Sequence, residues 1–178
     1  FDTLPINAKK ADPHTSDYIT APMPFDVLGR REVPVLSVLT ITGRSDKPRQ
    51  DILKDTLKLA VSHLRGEEWC ENAKGLTAYP ALIRHFKENP ETAASWNAEY
   101  FLGTYAALKE YAARYFEKEG LSSLARLYQT IYGVWLEAFQ IKTSSDASAE
   151  PVRKKISALL GSAYDTESEA LRLMENMI

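Results

Sequence analysis

A change of period near residue 46 constrains this chain more than any other feature. Before it the sequence is broken by prolines; after it apolar residues recur every three or four positions. That spacing puts side chains on one face of a helix, whereas proline lacks an N–H and interrupts both helix interiors and central strands. Pro5, Pro13, Pro22, Pro24 and Pro34 all lie in the first part. The expected organisation is an extended or β segment over 1–45 and a helical bundle over 46–178, together one structural unit.

Within the first part, Val33 to Thr42 reads VPVLSVLTIT, rich in β-branched residues and closed by Gly43, which is the composition of a mostly buried strand. A strand needs a partner, and Asp17 to Thr20 is the best local candidate, with Phe25 to Arg30 as a helical turn between them.

The helical part divides into about five segments. Pro48 to Arg65 places Leu53, Leu57, Ala60, Val61 and Leu64 on one stripe, with Ser45 or Asp46 to cap it and Gly66 to stop it. Thr77 to Lys87 aligns Tyr79, Leu82, Ile83 and Phe86, and tolerates Pro80 because it falls in the first turn. Glu91 to Glu119 carries Phe101, Tyr105, Leu108, Ala112, Tyr115 and Phe116 as its expected core face. Ser122 to Lys142 repeats the pattern with Leu124, Leu127, Tyr128, Ile131, Val134, Trp135 and Ala138. The short join EKEGLSS predicts that these two helices form an antiparallel hairpin. A Ser-rich loop then leads to a last helix from Pro151, with Val152, Ile156, Leu159, Leu160, Ala163, Ala170, Leu171 and Met174 inward. The fold class expected is α+β and predominantly α, a short β element at about 17–42 packed on a bundle of about five helices.

Charge and cysteine content narrow the function classes. Lys and Arg number 22 against 24 acidic residues and are scattered along the chain, so no concentrated basic face exists to meet a nucleic acid. No apolar run approaches the roughly 18–20 residues of a membrane span. Cys70 is the single cysteine, which excludes an intramolecular disulfide, fits a reducing compartment such as the cytoplasm and leaves export open. The chain begins at Phe1 without Met, and the expectation is a trimmed or partial gene product. Phe1 has no hydroxyl or thiol, so it is not an N-terminal nucleophile exposed by self-cleavage.

Few residues suggest chemistry. His14, His63 and His85 lie in separate segments with no HExxH or Glu-x-x-His spacing, so no metal site and no cofactor is expected. Cys70 sits in GEEWCENAKG among acids that would raise its thiol pKa, which favours an incidental cysteine over a nucleophile. No GxSxG, P-loop or GxGxxG occurs. Trp96, Tyr100, Tyr105, Tyr111, Tyr115, Tyr128, Tyr132 and Trp135 crowd two helices expected to be neighbours; such a cluster is either core or the lining of a ligand cleft. Tyr105, Tyr132 and Trp135 are the candidates for its edge. Glu167 falls on the apolar face of the last helix, where a carboxylate is hydrogen-bonded to a partner or functional. Partial burial and a mild effect of Glu167→Gln are expected if its role is structural.

Ala11-Asp12-Pro13, the Tyr-containing piece after it, the MPFDVLGRR turn and the VPVLSVLTIT strand together resemble the closing section of papain-like cysteine peptidase folds. GLTAYPALIRHF and ESEALRLM resemble the helical portion of a bacterial branch that includes butirosin biosynthesis H-like acyltransferases. The resemblance covers most of the chain but only the later part of that layout. It implies a catalytic Cys and His upstream of Phe1, and it carries over Asp12 alone, as the carboxylate that orients the histidine.

Two functional readings follow from the sequence. One is the helical C-terminal part of a papain-like thiol peptidase or acyltransferase, inactive by itself and completed by the upstream part of the same gene product. The other is a non-catalytic helical domain that binds a small molecule, a peptide or a second protein, including another copy of itself.

Overall fold

The computed structural model describes residues 9–10, 18–19, 43, 46–67 and 74–178. The chain divides into two units, Phe1–Asp46 and Lys47–Ile178. In the first, β1 (Lys9–Lys10) pairs antiparallel with β2 (Tyr18–Ile19), Lys9 opposite Ile19 and Lys10 opposite Tyr18. Among the described residues Tyr18–Ile19 thus pairs with a strand upstream of it. The strand expected at Val33 to Thr42 and the turn at Phe25 to Arg30 lie outside the described residues.

The second unit is helical, as the 3.6 period predicts. It comprises α1 (Arg49–Arg65), α2 (Ala78–Glu88), α3 (Pro90–Ala93), α4 (Trp96–Lys118), α5 (Ser122–Ser144) and α6 (Glu150–Glu175). A 3-10 turn, Gly75–Thr77, leads into α2. Two local expectations are corrected. No side chain caps α1: it starts after Pro48, whose carbonyl accepts from the Asp51 and Ile52 amides. The helix expected over Glu91 to Glu119 is two helices, because the chain turns at Ala94 and Ser95 restarts it by accepting a hydrogen bond from the Ala98 amide on its hydroxyl.

The core follows the expected stripes in α1, α2, α5 and α6. Leu57, Val61, Leu64, Phe86, Leu124, Ile131, Ile156, Leu160 and Met174 are all buried. In α4 the expected face holds in the second half, where Phe116 is buried and Ala112 and Tyr115 pack against the core, and fails in the first. Ala98, Leu102, Ala106, Ala113 and Phe116 turn inward, while Phe101, Tyr105 and Leu108 are exposed. Tyr100 to Leu108 contains no charged residue, so both faces of that stretch are apolar and periodicity could not choose between them. Close packing chose the small residues. A Cβ on Gly103 would lie 3.1 Å from the Phe139 ring of α5, which shows how near the two helices approach.

The packing order places the site. α5 lies between α4 and α6; α6 also carries α1 and α2. Among the described residues the α4 backbone approaches neither α1 nor α2. A closed bundle would bury that seam, and here it is left as a cleft. Arg49 bridges the α1 and α4 sides at one point by a two-pronged pair to Glu119, at 3.0 and 2.9 Å.

Candidate functional site

The open seam holds a cavity of about 540 Å³, in the size range of small-molecule sites. Leu64, Ala78, Ala81 and Leu82 form one wall, Phe101 and Tyr105 the other, and Trp135 with Glu167 the floor. His63, Lys74, Gly75, Tyr79, His85 and Lys109 complete the lining. Two sequence candidates meet directly: Tyr105 stacks on Trp135 with ring centroids 5.4 Å apart and planes 29° apart. Tyr105 is exposed and Trp135 buried, so the tyrosine covers the indole from the solvent side.

A polar network braces the floor. Glu167 is only 1% exposed and accepts from Tyr79 Oη at 2.6 Å on Oε2 and from Lys109 Nζ at 2.5 Å on Oε1. The negative charge of the same carboxylate also acts on the buried Tyr128 phenol. Trp135 Nε1 in turn donates to Tyr79 Oη at 3.0 Å. These side chains come from α2, α4, α5 and α6, so the network ties together both walls and the floor. Burial, reinforced by the Glu167 charge, pushes the Tyr79 and Tyr128 phenols far above their ordinary range. Both therefore remain donors, and the carboxylate is satisfied on each oxygen.

The sequence candidates are distributed unevenly. Tyr105, Trp135 and Glu167 line the cavity; Tyr132, also on α5, is half-buried against the core and is not among the lining residues. Asp12, His14 and Cys70 lie outside the described residues. Glu167 is fully buried, where partial burial was expected. Lys109 was missed, although the signal existed. It interrupts the small buried stripe of α4 just as Glu167 interrupts that of α6, and two opposite charges on apolar faces are natural partners. Among the described residues no group of three His, Cys, Asp or Glu could hold a metal ion, and no helix is long and apolar enough to cross a membrane. No protein-family model matches the chain, and comparisons with curated proteins and with solved structures return no match.

Proposed function

We propose that the helical unit is a non-catalytic ligand-binding domain, and that a small molecule with a flat, apolar body enters the cleft between α2 and α4. One observation carries this reading: the bundle stays open along one seam, and the seam is walled by aromatic and aliphatic side chains around a ligand-sized cavity. The floor network supports a binding role over a catalytic one. Glu167 is engaged by Tyr79 and Lys109, one on each oxygen, which leaves it poorly placed to accept a substrate proton. The alternative, an accessory part of a papain-like thiol peptidase or acyltransferase, comes second because no described residue carries it.

Trp135 supplies the test. With Trp69 and Trp96 replaced by Phe, the floor indole is the only tryptophan left. Titration with the neutral fluorophore N-phenyl-1-naphthylamine should quench Trp135 emission saturably by energy transfer, and Ala81→Trp, which fills the cleft, should weaken probe binding about tenfold when followed by the probe's own fluorescence. Quenching that never saturates, or binding indifferent to Ala81→Trp, rules the reading out.

A further inference from the structure

We infer that the ligand is an organic monoanion, an apolar body bearing one carboxylate or sulfonate group anchored on Lys109; this rests on the ligand-binding reading above. Lys109 lines the cavity, and its side chain is only 16% exposed. An ammonium has three N–H donors. One goes to Glu167 Oε1, and among the described residues the other contact of the ammonium is the Tyr128 ring, 5.9 Å from the nitrogen. Two donors on a mostly buried cation thus border an apolar cavity, where an acceptor gains most because water competes least.

The charge balance favours an anion over a neutral acceptor. Glu167 also accepts from Tyr79, so Lys109 is not its only partner, and an anion accepts more strongly from the remaining ammonium donors than a neutral oxygen does. Among the described residues Glu167 is the only acidic side chain of the lining. A single lysine matches a single anionic head. The aromatic walls at Phe101, Tyr105 and Trp135 match a flat body, which offers them a face to stack on.

The test compares two probes that differ only in charge. N-phenyl-1-naphthylamine and 8-anilinonaphthalene-1-sulfonate share one ring system, and only the second carries a sulfonate. At fixed ionic strength the sulfonate probe should bind the unaltered chain about tenfold more tightly, the worth of one charge-assisted hydrogen bond. In Lys109→Met/Glu167→Gln, which removes both charges together and strands neither, that preference should vanish. Equal or tighter binding of the neutral probe by the unaltered chain overturns the inference, and so does a preference that survives in the folded double variant. If the double variant does not fold, the comparison on the unaltered chain decides alone. Absence of the preference in the unaltered chain, with both probes still displaced by Ala81→Trp, refutes only the anion; binding by neither probe, or binding indifferent to Ala81→Trp, refutes the cleft itself.

Discussion

Tyr79 on α2 donates a 2.6 Å hydrogen bond to Glu167 on α6, joining side chains 88 positions apart across the floor of the cleft. The same carboxylate holds Lys109 of α4. The network therefore does structural work before any ligand arrives, since it links the two walls that have no direct helix contact.

Glu167→Gln should destabilise the fold by about 2–4 kcal/mol, because it strands a mostly buried ammonium and weakens the Tyr79 hydrogen bond. The effect expected from the sequence was mild; full burial makes it larger. Urea unfolding measures it, and adding Lys109→Met should restore part of the loss. A double variant no more stable than Glu167→Gln would show that the ion pair contributes nothing of its own.

Raising the pH should unfold the protein. An unfolded tyrosine loses its proton near pH 10, whereas Tyr79 and Tyr128 keep theirs to higher values in the fold. The folded state then binds more protons than the unfolded one, so stability is fully present below about pH 10 and is lost as the pH climbs toward the folded-state values. Each tyrosine contributes a slope of about 1.4 kcal/mol per pH unit in that window. Tyr79→Phe should remove one such share, visible as a shallower fall of unfolding free energy between about pH 9 and 11. An unchanged slope would contradict the burial of that phenol.

Gly75 shapes the cleft edge through its backbone. Its φ is +55°, and a Cβ there would lie 2.3 Å from the Leu64 carbonyl oxygen and 2.5 Å from that of His63. Gly75→Ala should cost about 2–4 kcal/mol, by left-handed strain and by forcing the α1 end away. Gly133→Ala is the matched control: nothing lies within 4 Å of its added Cβ in the α5 interior, and it should stabilise by about 0.5–1 kcal/mol. Thermal melts of the two should move in opposite directions.

Ser157 is buried on α6, and its hydroxyl has no hydrogen-bond partner. Ser157→Ala removes an unsatisfied polar atom without opening a large void. It should be neutral or stabilise by about 1 kcal/mol. A clear loss in urea unfolding would reveal a partner for that oxygen.

The helical body was legible in the sequence because each amphipathic stripe is a local property. Leu57, Val61 and Leu64 in α1, or Ile156, Leu160 and Met174 in α6, lie on one face by spacing alone and have one way to be buried. The oddity of Glu167 was legible for the same reason, as a charge on an apolar stripe.

Where a helix is apolar on both sides, spacing says nothing about which side is buried, and α4 went the other way: Leu102 and Ala106 inside, Phe101 and Tyr105 on the cleft. The break at Ser95, the pairing of Lys109 with Glu167 and the seam left open beside α2 depend likewise on which helices touch. Periodicity along the chain thus determined that there would be helices and a core. Only close packing between helices, set by Gly103 and the small residues of α4, decided which aromatic rings remained outside to line a cavity.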